Sequence, residues 1–323
     1  MRWLVILLAG AAGLLAPSVR AEDLIRLGNL KFAHYGAVSY LKEIGPECGL
    51  RVEERVFAKG LDILPAILAG EIDVAASALD AAITGRAAGV AVYAVAGFAQ
   101  GGARIVGRAD LDYPGGVASL KGLRVGVARG GAKELLLLAE LAKAGLTWSD
   151  RGDKDVRIVY MAFADLNQAL MAQDIDAMSQ SEPQSSQAIN KGFGKEIVKP
   201  YDTPMGQPIR ALVMTEKLYT EKPDVARRLM RCFVKATAAF IADPQLAETY
   251  VRERMFKNQI TSQDYLDAMG NAAFTYDLPV EHVQVTTDLM KEYGVGRMAN
   301  PPRARDWVRL DLLAAAKADL GVK

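Results

Sequence analysis

Four short segments carry the residue types that hold small polar molecules. Lys31-Phe32-Ala-His34-Tyr35-Gly36 puts a cation, two aromatic rings and an imidazole within six residues. Phe32 and Tyr35 could stack on a ligand, and His34 could donate a hydrogen bond. The plain alternative is a packed aromatic turn behind a surface lysine. Arg129-Gly-Gly131-Ala132-Lys133 is a glycine turn feeding a helical segment. The N–H groups of Gly131 and Ala132 could hold an anionic oxygen with the helix dipole assisting, or the glycines could simply make a tight turn. Ser77-Ala-Leu-Asp80 offers a hydroxyl and a carboxylate that also suit helix N-caps. Gln180-Ser-Glu182-Pro183 ends in a carboxylate that is harder to explain as a cap. Glu182 would suit a ligand amine, amide or ring nitrogen, or it bonds to another loop and only shapes the pocket.

Together these loops set Lys31, Arg129, Lys133 and backbone donors against Asp80 and Glu182. That pattern suits a small anion or zwitterion, or a polar heterocycle, with the aromatic rings making room for a flat or apolar part. A small organic solute is expected, in preference to an inorganic ion or a sugar. Chemistry on that ligand is not indicated. The chain has no Gly-x-Ser-x-Gly elbow, His-Glu-x-x-His pair, phosphate loop or kinase signature. The Gly-x-Gly-x-x-Gly spacing of a dinucleotide site is missing after Arg129. Two histidines and two distant cysteines leave little material for a metal centre, so no metal or cofactor is expected.

The elements that must position these loops are visible as an internal repeat. Asp62-Ile-Leu-Pro-Ala-Ile-Leu-Ala-Gly-Glu-Ile-Asp73 recurs without a gap as Asp165-Leu-Asn-Gln-Ala-Leu-Met-Ala-Gln-Asp-Ile-Asp176. Upstream, Ile25-Arg-Leu-Gly28-Asn-Leu-Lys31 matches Leu123-Arg-Val-Gly126-Val-Ala-Arg129. Each copy reads as strand, helix, strand, helix, strand: Leu24–Leu30, Ala37–Glu47, Val52–Phe57, Ile63–Ala69 and Val74–Ser77, then Leu123–Ala128, Lys133–Ala144, Val156–Met161, Leu166–Ala172 and Ala177–Gln180. Alternation of this kind predicts parallel sheets with right-handed crossovers, one to each of two lobes. Asp73 and Asp176 fall at helix-to-strand turns and are read as structural. The first lobe is expected at 22–108 and the second at 109–204. The chain then returns through Ile209–Thr215 to the first lobe over 205–323. The later helices carry capping signals at Asp243-Pro244 and Thr261-Ser-Gln-Asp264.

Composition narrows the setting. The 323 residues are 51 % apolar and 24 % charged, with 39 Lys+Arg against 38 Asp+Glu. That is an ordinary globular balance, and it lacks the basic surface a nucleic-acid partner requires. Arg2 followed by the apolar run Trp3–Ala16 and the small residues of Val19-Arg20-Ala21 reads as a secretory signal cleaved after Ala21. The run is too short to span a bilayer. In an oxidising compartment Cys48 and Cys232 could bridge, though a buried free thiol is as common.

At this point the chain resembles a known family. Ala69-Gly-Glu-Ile-Asp73-Val, Leu120-Lys-Gly-Leu-Arg-Val-Gly-Val-Ala128, Ala144-Gly-Leu146 and Ser181-Glu-Pro183 look like the substrate-binding proteins of ABC importers. The closer likeness is to the nitrate/sulfonate/taurine and thiamine-pyrimidine branch, from about Leu24 to Ile241. The resemblance implies an α/β, two-lobed type II periplasmic binding protein fold. Each lobe would be a mostly parallel sheet flanked by helices, with the ligand cleft between the lobes. It also implies a periplasmic protein that delivers a small-molecule ligand to the membrane permease of an ABC importer, and a monomer is expected. A sensor presenting its bound state to a receptor would share the fold. The related thiamine-pyrimidine synthase uses a cysteine-rich metal motif that this chain lacks, so binding without chemistry is expected. The candidate ligand contacts are Lys31, Phe32, His34, Tyr35, Ser77, Asp80, Arg129, Gly131, Ala132 and Glu182.

Overall fold

The computed structural model describes residues 22–322. The expected signal segment, 1–21, lies outside the described residues. Three groups of strands follow in chain order. The first is β1 (Asp23–Leu30), β2 (Leu50–Phe57), β3 (Val74–Ala78) and β4 (Val92–Gly101). The second is β5 (Ala103–Arg108), β6 (Arg124–Val127), β7 (Trp148–Ser149), β8 (Val156–Tyr160), β9 (Ala177–Ser181) and β10 (Gly194–Val198). Last come β11 (Ile209–Thr215) and β12 (Ala272–Phe274). They form two six-stranded sheets, ordered β12-β4-β11-β3-β1-β2 and β10-β5-β9-β6-β8-β7.

Both sheets are mixed, where the alternation predicted mostly parallel ones. β2, β1 and β3 run parallel, as do β7, β8, β6 and β9. The remaining pairs, β3-β11-β4-β12 and β9-β5-β10, are antiparallel. The parallel half of each sheet is the repeated unit. The antiparallel half is where the chain passes between lobes, and β4 and β5 carry it in one nearly unbroken apolar run.

That run moves the first lobe boundary. β5 belongs to the second sheet, so the crossing lies at Gly101–Gly102 and not after Arg108 as expected. The Asp- and Pro-rich stretch after Arg108 is a surface turn of the second lobe. The return crossing falls between β10 and β11, close to the expected position. The helix expected over Ala37–Glu47 is broken into short turns, Gly36–Ser39, Leu41–Ile44 and Gly45–Cys48, with Pro46 at the last interruption. Both capping signals form. Asp243 accepts from Leu246 N, and Thr261 with Asp264 closes a reciprocal capping box.

The repeat is held together in the same way twice. Asp73 accepts from Arg26 N, Nε and Nη2 at 3.0, 2.8 and 2.6 Å. Asp176 accepts from Arg124 N, Nε and Nη2 at 2.9, 3.0 and 2.9 Å. Each carboxylate thus clamps the turn before its third strand to the first strand. Two residues along, Gly28 and Gly126 let a helix approach the sheet: an added Cβ would lie 2.9 Å from Ile63 Cγ2 or 2.8 Å from Leu166 Cδ2.

Asp176 is the more buried clamp and also pairs with Arg108 at 3.3 Å. Burial pushes its pKa up, but the Arg124 hydrogen bonds and charge outweigh that and hold it below the usual 3.8. Asp176→Ala should therefore cost about 2–3 kcal/mol in urea unfolding at pH 7. Because the folded value is depressed, the difference from the parent should persist above pH 4 and shrink as the pH falls through the folded value. A difference independent of pH would contradict the clamp.

Candidate functional site

In open α/β sheets ligands collect outside the carboxyl ends of strands, where helix N-termini present free N–H groups. The two lobes meet at that position. The loops after β1, β2 and β3 face the loops after β6 and β8 around a narrow space of about 30 Å³, with Arg210 of β11 reaching in. Past Lys59 and Arg129 the gap between the lobes widens into two further hollows of about 390 and 430 Å³. A larger hollow, about 440 Å³, lies at the opposite ends of the first-lobe strands. Its charged groups are exposed or half-exposed, and its Arg26 and Asp73 are already paired.

The cleft is distinguished by buried charge. Asp80 is 2 % exposed, Lys133 4 % and Arg210 1 %. Asp80 lies in the first turn of the helix Leu79–Ala87 and Lys133 in that of Ala132–Lys143, on opposite lobes. Asp80 Oδ2 points across the cleft at the N-terminus of the Ala132–Lys143 helix, 3.6 Å from where a Cβ on Gly131 would lie. Arg210 Nη2 donates to Gly101 O at 3.0 Å, tying the guanidinium to the first crossing. Its Nη1 is buried without a hydrogen bond among the described residues, as is Asp80 Oδ1.

Burial decides the protonation of these groups. It pushes the Asp80 carboxyl up to about 6, against the opposing pull of Arg210 and Lys133. Burial and the neighbouring Arg210 charge hold the Lys133 ammonium well below its usual range, although Asp80 and Glu182 oppose them. Burial also raises the pKa of the Tyr35 phenol, against the opposing pull of the Arg210 charge. Three rings complete the walls. Phe32 stands edge-on to Tyr35 at 5.4 Å and to Phe163 at 5.5 Å, the latter from the second lobe. Lys133 Nζ lies 6.0 Å from the Phe32 ring centre.

Of the expected contacts, the structure brings Phe32, Tyr35, Asp80, Arg129, Gly131 and Ala132 to the cleft. Arg129 is at its rim, with its guanidinium 3.7 Å over the Tyr160 ring and paired to Asp150 at 3.0 Å. Four residues lie elsewhere. Lys31 turns to the C-terminal helices, bonding Gln259 Oε1 at 3.0 Å over Phe256. Ser77 donates to Ala78 O behind the loop. His34 is wholly buried beside the crossing: an added Cβ on Gly102, whose φ is +71°, would fall 2.6 Å from its Cε1. Neither ring nitrogen has a partner among the described residues. Burial, with Arg210 and Lys133 nearby, drives its pKa well down and keeps the ring neutral.

Glu182 is the largest departure. Its carboxylate is saturated inside the protein by Arg104 Nε at 2.7 Å, Asn271 Nδ2 at 3.0 Å, and Ser186 N and Oγ at 3.1 and 2.7 Å. Asn271 Nδ2 also donates to Ala103 O, so Glu182 belongs to the crossing and not to the cleft. The sequence reading passed over Arg210, Phe163 and the Lys59–Leu61 loop. Arg210 did leave a signal, because it is the one charge in the apolar run Ile209–Met214. A charge in a central strand must find a partner or a ligand.

This fold is that of the two-lobed periplasmic binding proteins, with the cleft between lobes. The chain belongs to the NMT1-like family, whose model matches residues 25–252. A Brachyspira hyodysenteriae protein assigned by name to the ABC transporter periplasmic binding proteins is 25 % identical over 275 residues, 80 % of this chain and 77 % of that one. Among solved structures, the Xanthomonas axonopodis alkanesulfonate-binding protein SsuA, bound to MOPS, superposes with a TM-score of 0.73. It is 19 % identical and covers 89 % of this chain and 99 % of its own. The Synechocystis periplasmic nitrate-binding protein NrtA gives a TM-score of 0.75 at 17 % identity, covering 94 % and 90 %.

The raised Asp80 value gives a signed pH effect. A folded carboxyl near 6 against an ordinary 3.8 binds its proton more tightly than the unfolded chain does. Its contribution to stability therefore falls as the pH rises from about 4 through 6. Asp80→Asn has no such titration. Its stability relative to the parent should rise by about 2–3 kcal/mol between pH 4 and pH 7, read from paired urea titrations. A constant difference across that range would show that Asp80 is ionised and fully compensated in the cleft.

Proposed function

We propose that this protein is the periplasmic substrate-binding component of an ABC importer, and that it captures a small organic anion or zwitterion of the sulfonate or taurine type. The observation that carries the ligand class is the charge balance of the cleft. Two buried basic side chains from opposite lobes, Lys133 and Arg210, face a single carboxylate that burial has weakened as an acid, and a bound anion would favour the Lys133 charge that burial opposes. A monoanion would supply the missing counter-charge, and a zwitterion's amine would find Asp80. Phe32, Tyr35 and Phe163 leave an apolar wall for a short carbon chain. The cleft carries more cationic charge than an uncharged pyrimidine could use, which favours the anion over the heterocycle.

The importer role is supported by family membership and by the named roles of the relatives. The Brachyspira protein carries an ABC periplasmic binding name, and the two solved neighbours bind alkanesulfonate and nitrate. Delivery to a membrane permease follows from that likeness. Function as a binding protein without chemistry agrees with these relatives.

Isothermal titration with ethanesulfonate, taurine, nitrate, cytosine and a hexose tests the ligand class. At least one of the two sulfonates should bind, and Lys133→Met should weaken it by about 100-fold, the effect of removing one partner of a buried charge pair. Binding by cytosine or the hexose alone, with the anions silent, would overturn the ligand class. Unchanged affinity in Lys133→Met would overturn the site.

A further inference from the structure

The chain's two cysteines, 184 positions apart in sequence, come together in the first lobe. Cys48 ends the turn Gly45–Cys48, and Cys232 lies in the middle of the helix Pro223–Ala242. The turn that Cys48 ends packs directly on this helix at Cys232. Cys232 Sγ also donates to Ile44 O at 3.6 Å. The surrounding chain is fixed on both sides of this contact. Arg228 Nη1, one helical turn before Cys232, donates to Cys48 O at 3.2 Å and Gly49 O at 2.7 Å. Lys235 Nζ, one turn later, pairs with Glu47 at 2.8 Å. Turn and helix are thus clamped on either side of the sulfurs.

We infer that Cys48 and Cys232 are a built disulfide site, which closes under oxidising conditions by exchange with a small-molecule or protein disulfide and staples the helix Pro223–Ala242 to the turn before β2. The two thiols are set up unequally for that exchange. Cys48 is half-buried, and the neighbouring Cys232 thiol, aided by the Lys235 charge, lowers its pKa despite partial burial. Cys232 is buried, and the neighbouring Cys48 together with that burial raises its pKa. Cys48 is therefore the attacking thiolate. It bonds one sulfur of the donor disulfide and releases the first donor thiolate. Cys232 then gives up its proton, attacks Cys48 Sγ and expels the second donor thiolate. The protein loses two protons and two electrons, which the donor takes up as it leaves as two thiols. The bridge encloses both lobe crossings in its loop yet joins two segments of one lobe, so it stiffens that lobe without locking the hinge.

The reduced full-length protein, incubated with glutathione disulfide under native conditions, tests this by intact mass and thiol titration. The expected product has lost two hydrogens and both free thiols, and it melts about 5–10 °C above the reduced form. Cys232→Ser should instead keep a glutathione adduct on Cys48, and Cys48→Ser should acquire none. Two thiols that survive in the native protein, or a parent that stops at the single adduct, would overturn the inference. The mass result on the parent decides the matter even if a variant folds poorly. It does not depend on which ligand the cleft binds.

Discussion

Charge taken out of water at a movable junction is the constraint on which the rest of this molecule depends. Lys133 comes from one lobe, and Arg210 and Asp80 come from the other. Only closure removes all three from solvent together. Desolvation of ions is expensive unless counter-charge is supplied, and within the cleft one weakened carboxylate serves two basic groups. Bringing the lobes together therefore sets two basic groups beside one weak carboxylate, and that imbalance is the physical basis of the ligand class proposed above. Arg210 adds a mechanical link, since its guanidinium is bonded to the carbonyl of Gly101 at the crossing itself.

The two lobes show how a repeated unit yields one binding site instead of two. The Arg26–Asp73 and Arg124–Asp176 clamps are equivalent, as are the close approaches at Gly28 and Gly126. Beyond the third strand the copies diverge by a single position. The internal repeat aligns Asp80 with Pro183 and Leu79 with Glu182. In the first lobe the carboxylate enters the cleft, and in the second it comes one residue earlier and is absorbed by Arg104, Asn271 and Ser186. Successive residues entering a helix point about 100° apart, so a shift of one at this junction is enough to turn an acid facing the cleft into one facing the crossing. One copy keeps the cleft chemistry and the other secures the crossing.

This also explains what could be read from the residues and what could not. The repeated strands and helices were legible because their apolar periods and their turn aspartates recur in order. β4 and β5 were not, since an unbroken apolar run gives no sign that it passes from one sheet into another at Gly101–Gly102. Phe32, Tyr35 and the turn at Gly131 follow from position at a strand's carboxyl end. Glu182 satisfied the same rule and still faced away, because the rule places a loop and does not set the direction of each side chain. Arg210 was missed for the converse reason: it lies inside a strand 130 residues from Asp80, and only the sheet order β11-β3 brings them together.

His34 completes the logic of the crossing. It has the residue type of a ligand donor, but it stands against Gly102, where a φ of +71° and the imidazole itself leave no room for a side chain. A protonated ring there would add a third cation beside Arg210 and Lys133. Burial and those two charges keep the ring neutral, so it packs as a flat, rigid plate stacked near Phe32, with ring centres 6.0 Å apart. The Phe32 and Tyr35 side chains that wall the cleft are thereby backed by a residue in contact with the hinge glycine. The imidazole thus fills the space between the glycine of the crossing and the rings of the apolar wall, and it adds no charge to the two basic groups in front of it.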